Sequence, residues 1–506
     1  MHAGESRLTR LRGIFGRPVR CPGLAILRAR AQACVEANLD RVAVIGGGLA
    51  GLACAAALAP RGFRVTVLES RRRLGGRAGS FADPETGQLV DACQHVSMGC
   101  CTNLAHFLDA VGVSHLLAPQ PRLYFVTPDG RKSVFKADPW PAPLHLGRAL
   151  LGAHYLTPAE KLRVAWGMLA MLRENPDADP PLRDWLLAHR QTPRTIDRFW
   201  GVVLVSALNE TVDRLGLKYA RKVFRDGFLR HRDGFVVHVP TVPLGRLYGD
   251  EMRAWFDRHG VELRENAAVR RLEMDDFRLT MEKPGTALQS PITNRQSPIA
   301  HLALRNGETV EADWYVLAVP FDRVADLLPV ELLDREPYFG GVRNLVPSPI
   351  SSVHLWYDRS VTDLPHAVLI DCQGQWVFNR GEVAPGEFYV QVVISAVREL
   401  REQGNDELRR RIVEELGRVF PAARAATLLR SKVVTEHTAT FSAVPGVDRW
   451  RVPQASPVPN LAVAGDWTAT GWPATMEGAV RSGYLAAEAI LSRAGRPEVL
   501  LQPELR

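Results

Sequence analysis

The chain has 506 residues, 46% of them hydrophobic and 23% charged, and carries a formal charge of +8. That length leaves room for about two to four domains with a sizeable buried core, and the balance is that of an ordinary globular protein rather than a repeat or low-complexity chain. The positive excess is modest for the length and forms no Lys/Arg stripes with interleaved aromatics, which argues against nucleic acid; a basic face beside apolar residues suits an anionic membrane surface better.

Residues 1–40 are Arg-rich (RLTRLRGIFGRPVR) and lack the apolar run of a signal peptide, so they read as a disordered basic extension outside the fold. Seven cysteines, at 21, 34, 54, 93, 100, 101 and 372, form no C-x-x-C pair and no Cys/His cluster at zinc spacing. No metal is expected, and a reducing cytosol is the predicted compartment. Adjacent Cys100 and Cys101 read as small buried hydrophobes.

The strongest local pattern runs from Arg41 to Glu69. A short apolar strand, Val42 to Ile45, meets Gly46, Gly48 and Gly51 in a G-x-G-x-x-G turn, then an Ala-rich helix, then a β-branched strand that closes on Glu69. Glycines let a backbone approach a pyrophosphate, and a helix N-terminus offers it unpaired N–H groups and a positive dipole end. Glu69 is placed to accept hydrogen bonds from a ribose. Three consecutive glycines, each costing about 1 kcal/mol relative to Ala in a helix, argue against a membrane span here.

After a Gly/Arg-rich turn (RRRLGGRAGSF), a hairpin is predicted around Asp83 to Gly87, then an amphipathic helix over 102–112. This completes a first part of the nucleotide domain, 41–136. Residues 137–230 turn helical and apolar. Thr157-Pro158-Ala159-Glu160 is a capping box before KLRVAWGMLAML, which reads as a buried helix, a tunnel wall or a face that dips into a bilayer. Thr192-Pro193 opens another helix. The nucleotide domain resumes over 231–344, with a strand pair at 261–274, a strand in DWYVLAVP, and a flexible insertion at 283–300 in which Q-S-P-I recurs at Gln289 and Gln296. Residues 345–440 read as an α+β substrate domain. The third part of the nucleotide domain is 441–495, followed by a tail, 496–506.

That third part carries the second strong pattern, LAVAGDWTATGWPATMEGAVRSGYLAAEAI. A small-residue strand ends at Gly465-Asp466, and a helix starts near Pro473 to Met476. An acid at a strand end can hold polyol hydroxyls, and a helix N-terminus beside it can stabilise negative charge on a reduced isoalloxazine. Gly478, Ser482 and Gly483 keep one helix face slim, where a ring system could lie. One bound dinucleotide explains both ends of the chain.

With Gly46-x-Gly48-x-x-Gly51 to Glu69, then Arg73-Leu74-Gly75-Gly76-Arg77, then Gly465-Asp466 and Met476-Glu477-Gly478-Ala479, residues 40–492 resemble the flavin amine oxidase and carotenoid desaturase superfamily. Within it, GQLVDACQHVSMGCCTN and GDWTATGWPATMEGAVRSGYLAAEAIL are similar to the hydroxysqualene dehydroxylases, or squalene-associated FAD-dependent desaturases. Ala92-Cys93 stands where those commonly have Asn-Gly. The resemblance implies an α/β fold: a Rossmann-like FAD-binding domain, discontinuous in sequence, with an α+β substrate domain carrying a helical apolar cap. It implies FAD, held by Gly46, Gly48 and Gly51 at the pyrophosphate and Glu69 at the ribose. Arg73, Gly76 and Arg77 would stand near the phosphates and flavin, Val269 at the adenine, Gly465 and Asp466 at the ribityl or pyrophosphate region, and Met476 with Gly478 at the flavin carbonyl. His95 would be the acid or orienter, with Asp91 as a second catalytic candidate.

The implied substrate is a C30 isoprenoid, reductively dehydroxylated to squalene in bacterial squalene and hopanoid synthesis. Only one dinucleotide fingerprint is present, so the electron donor is external and not specified by the chain. The implied location is cytoplasmic, peripheral on the inner face of the cell membrane, near squalene-synthase-like enzymes. Phytoene-type desaturation, amine oxidation and a non-catalytic flavoprotein scaffold are the alternatives.

Overall fold

Strands that read as uninterrupted apolar runs belong inside a sheet covered on both faces. The computed structural model, which describes residues 39–274 and 298–505, builds such a sheet from β1 (Arg41–Ile45), β2 (Arg64–Leu68), β3 (Glu262–Arg264), β4 (Trp314–Leu317) and β5 (Leu461–Val463). All are parallel, in the order β3-β2-β1-β4-β5. Helix α1 (Leu49–Leu58) crosses from β1 to β2. Three distant stretches of sequence therefore share one sheet, as a discontinuous nucleotide domain requires. Helix α4 (Met476–Arg493) packs on α1. A Cβ at Gly483 would overlap the Ala50 carbonyl oxygen, so the slim face of α4 admits the neighbouring helix and not a ring system.

A second, mixed sheet has seven strands, in the order 428–441, 347–357, 387–395, 376–384, 366–369, 122–126 and 132–136. The helix Asn405–Val419 covers one face, where Leu408, Ile412 and Leu416 join a core with Val353, Val377 and Val392. The hairpin 122–136 belongs here, which corrects its predicted place in the nucleotide domain. Its Arg122–Val126 strand pairs in parallel with His366–Leu369, a long-range pairing that no local pattern announces. The predicted 283–300 insertion also ends early: Ile299 opens the strand Ile299–Leu304. The Q-S-P-I recurrence and the basic arm before residue 39 otherwise lie outside the described residues.

Between 144 and 229 the chain is helical, as expected. Two starts are genuine capping boxes: Glu160 N donates to Thr157 Oγ1 at 3.3 Å, and Thr195 N donates to Thr192 Oγ1 at 3.2 Å. Helix α2 (Pro158–Arg173) buries Val164, Gly167 and Met171, and Gly167 lies against the Trp200 ring. Helix α3 (Leu217–Phe224) packs beside it. Among the described residues, no helix is long and apolar enough to cross a membrane.

The second sheet buries His354, whose Nδ1 lies 2.7 Å from the Tyr389 hydroxyl. Burial lowers this histidine from 6.5 to about 4. Below its ordinary value the unfolded chain takes up the proton while the folded one does not. Stability contributed by the neutral ring is therefore complete above about pH 6.5 and is lost on acidification towards pH 4, by up to about 3 kcal/mol. Denaturant midpoints measured from pH 7 to 4 should fall, and His354→Gln should flatten part of that fall. An unchanged slope in the variant would refute this assignment.

Candidate functional site

One cavity of about 1310 Å³ runs from the ends of the parallel strands to the second sheet and the cap. On the first side, β1 delivers the chain into Gly46, which has φ +109° and no room for a Cβ, since one would stand 2.5 Å from the Ala318 carbonyl oxygen. Gly48 then serves as the N-cap of α1 without any side-chain cap, and α1 has no acid in its first turn. Leu49 and Ala50 line the cavity beside Gly46 and Gly48. The helix end is thus open to an anion. Gly76 packs against Gly48, as a Cβ on it would lie 3.1 Å from the Gly48 Cα.

Gly51 is different. A Cβ there would overlap the Gly46 carbonyl oxygen, and the residue does not line the cavity. It packs α1 on β1 rather than cradling a phosphate, which corrects its expected role. Glu69, at the end of β2, does line the cavity. Its carboxylate accepts from Gly47 N at 2.8 Å and Arg71 N at 2.9 Å, so it also fixes the glycine turn. Val269, at the start of the strand Val269–Met274, lines the same side.

Arg73 and Arg77 both line the cavity. Arg73 Nη1 donates to the Ser80 carbonyl at 2.9 Å. Arg77 Nη2 donates to Asp466 Oδ1 at 2.6 Å, and its Nη1 to the Ala439 carbonyl at 2.8 Å. The pair ties the first nucleotide segment to the last. Asp466 follows Gly465, whose φ is +144°. The buried Arg451 shapes that loop by donating to the Asp466 carbonyl at 3.0 Å and the Thr468 carbonyl at 2.6 Å.

Thr475 caps α4 by accepting from Gly478 N at 3.1 Å. Met476 lines the cavity. Gly478 does not; a Cβ there would meet the Pro473 carbonyl oxygen at 2.6 Å, so this glycine serves the cap, contrary to expectation. Glu477 also lines the cavity, with its carboxylate committed to the helix Thr102–Ala110, accepting from Leu104 N at 2.7 Å and Asn103 Nδ2 at 2.9 Å. Burial raises its carboxyl.

The hairpin at 80–91 leads into Ala92 to Val96, all of which line the cavity. Asp91 does not. It accepts from Ser80 Oγ at 2.6 Å and Leu244 N at 2.7 Å, and burial raises it; it serves the hairpin and is not a catalytic residue. His95 Nδ1 lies 2.9 Å from the Cys93 carbonyl. A carbonyl only accepts, so Nδ1 carries the proton and Nε2 is left as an acceptor. Burial lowers the ring's pKa. His95, read from the sequence as an acid or an orienter, thus offers Nε2 as an acceptor, and its burial works against the acid role. Gln94 holds this loop, accepting from Arg380 Nη1 at 3.0 Å. Burial pushes the Cys93 thiol up to about 12, so it stays neutral.

Away from the parallel sheet the wall is mixed: Phe125, Val202, Val203, Phe228, Trp376 and Phe378 give it an apolar stretch, while Ser206, Asn209, Ser395, Thr435 and Glu436 add polar groups. None comes from α2, so that helix is no tunnel wall. Sequence reasoning missed Lys222, Asp226 and Trp472, which also line the cavity. Lys222 Nζ is 2.7 Å from Asp226 Oδ2, 3.0 Å from Glu504 Oε1 and 4.4 Å from the Trp472 ring centre. The i, i+4 spacing of Lys222 and Asp226 was a readable signal of the pair. Among the described residues no cluster of His, Cys, Asp or Glu could hold a metal ion.

An open helix end behind a glycine turn, an acid closing β2 and a second helix start facing the same cavity define a dinucleotide-binding α/β protein with an apolar compartment attached. Residues 49–491 match the flavin containing amine oxidoreductases, and the chain belongs to that family, for which FAD is the expected cofactor. It is 27% identical to a 15-cis-phytoene desaturase of Synechococcus elongatus over 482 residues, 90% of this chain and 96% of that protein. It is 25% identical to a zeta-carotene desaturase of Arabidopsis thaliana over 494 residues, 89% of this chain and 85% of that protein. Among solved structures, an oxidoreductase from Methanosarcina mazei is similar with a TM-score of 0.65 at 16% identity, covering 88% of this chain and 98% of that one. Cyclohexylamine oxidase from Brevibacterium oxydans gives a TM-score of 0.60 at 18% identity, covering 90% and 100%. At such identities the structures speak for the fold alone.

Proposed function

We propose that this FAD-dependent oxidoreductase acts on a long isoprenoid, and that its reaction is the reductive dehydroxylation of hydroxysqualene to squalene. The observation that carries the reading is the continuity of the glycine cradle with an apolar compartment inside one cavity. The residues present fit FAD. Gly46, Gly48 and Gly76 would admit its pyrophosphate to the α1 N-terminus, Glu69 its ribose and Val269 its adenine. Arg73, Arg77, Gly465, Asp466 and Met476 would flank the rest.

Bound FAD supplies the two-electron, hydride-type chemistry. The protein's share is to exclude water from the allylic centre, to orient it, and to hold the hydrocarbon tail. His95 Nε2, as an acceptor, can orient a substrate hydroxyl; the proton with which that hydroxyl leaves as water must come from solvent or another group. The external electron donor and nearby prenyl-transfer enzymes are part of the same proposal, as is a cytoplasmic site at the membrane's inner face.

Desaturation of a phytoene-type polyene is the second reading, and the carotenoid desaturases among the relatives favour it. Purified, reduced protein incubated anaerobically with hydroxysqualene should yield squalene. Oxidised protein given phytoene and a quinone, or amines and oxygen, tests the rivals. Turnover of phytoene or amines without squalene from hydroxysqualene would overturn the first reading.

A further inference from the structure

Helix α2 is apolar on two sides. Its inner side packs on the cap. On the outer side Leu162, Trp166 and Leu169 are 74%, 53% and 47% exposed, and Ala165 and Leu172 share the stripe. Spacings of three and four residues put these side chains on one face. Leu151, 70% exposed, extends the patch, because Lys161 Nζ donates to its carbonyl at 2.5 Å and holds it beside the start of α2.

The charges along this face are mostly positive, and its acids gather at the C-terminal end, at Glu174 and Asp177. Between residues 144 and 173 stand Arg148, Lys161, Arg163 and Arg173, against a single acid, Glu160. Glu160 is buried and committed to the Thr157 cap and to Arg194. The polar contacts of Lys161 and Arg163 go to carbonyl oxygens, of Leu151 and Arg190, so their charges stay uncompensated.

We propose that the outer face of α2 with Leu151 is a docking surface for an anionic lipid bilayer, entered by Leu162, Trp166 and Leu169 to the depth of the headgroups. An amphipathic helix with leucine and tryptophan on one side and cations at its rim suits that interface. Charge decides against a second copy of the chain. A symmetric contact would set these cations against themselves, whereas anionic headgroups attract them. The Arg-rich segment before residue 39 has the same sign and is no better an occupant. Helix α3, which packs on α2, supplies Lys222 and Val223 to the cavity wall, so the surface lies one helix away from the apolar compartment. The link to a lipid-soluble substrate rests on the proposed function; the docking surface itself does not.

The test is co-sedimentation of the full-length, FAD-loaded protein with vesicles of phosphatidylcholine, alone or mixed with phosphatidylglycerol. Wild type should bind the mixed vesicles, less so in high salt, and the double variant L162E/W166E should bind at least about tenfold more weakly. Both positions are exposed, so flavin content and thermal melting should match wild type. Equal vesicle binding by both proteins would overturn the proposal. So would a wild-type dimer, seen by light scattering, that the double variant converts to monomer, for then the face is a protein interface. Because turnover is not scored, a protein that makes squalene yet ignores vesicles sinks only the surface assignment.

Discussion

Glu69→Ala should leave the purified protein nearly colourless. The carboxylate is buried, lines the cavity, and receives two backbone N–H bonds, from Gly47 and Arg71. Hydrogen bonds to a charged group contribute about 1.5 to 3 kcal/mol each. Alanine removes both, loosens the turn that presents Gly48, and removes the acceptor proposed for the ribose. Flavin affinity should fall by about 100-fold or more, which corresponds to about 2.7 kcal/mol. Absorbance at flavin wavelengths after desalting, followed by titration of the apoprotein with FAD, measures it. Glu69→Gln retains one acceptor oxygen and should fall between the two. Full flavin occupancy in Glu69→Ala would remove Glu69 from the site.

Gly483→Val should cost the fold about 3 kcal/mol or more. A Cβ at this position runs into the Ala50 carbonyl oxygen and stands 3.0 Å from the Ala53 Cβ and the Cys54 amide nitrogen. These atoms belong to α1, which is held by the parallel sheet and cannot yield as a flexible side chain would. Overpacking of this kind usually costs about 1 to 3 kcal/mol, and more where backbone is struck. Separating α4 from α1 also separates the two helix starts that face the cavity, so flavin retention should fall with stability. Gly147→Ala is the control, with φ −58° and open space around it. It should be neutral or slightly stabilising. A Gly483→Val protein that melts with wild type would disprove the close packing.

How much of this was legible beforehand depended on whether the signal was local. The turn at Gly46 and Gly48, the acid at Glu69 and the Thr157 and Thr192 caps are written in residues a few positions apart, and all form as read. Gly51, Gly478 and Gly483 carry equally clear signals, yet their purpose was misjudged. A missing Cβ says that something comes close, and only the fold tells whether that is a ligand, a carbonyl or another helix. The 122–136 hairpin went astray for a related reason, since its neighbour at His366–Leu369 lies more than two hundred residues away in sequence. Asp91 and His95, four residues apart in sequence, were both named as catalytic candidates, but Asp91 turns into the hairpin while His95 lines the cavity.

By itself the sequence determined the chemistry of the nucleotide end, because backbone conformation, helix starts and strand periodicity act over a few residues. Tertiary structure alone decided which glycines face the cavity and that Arg77 meets Asp466. It also decided that α2 turns leucines and a tryptophan outwards. The Arg77–Asp466 pair joins segments hundreds of residues apart and α2 packs on helices some tens of residues away, and in both cases burial and steric exclusion, not local preference, select the neighbour.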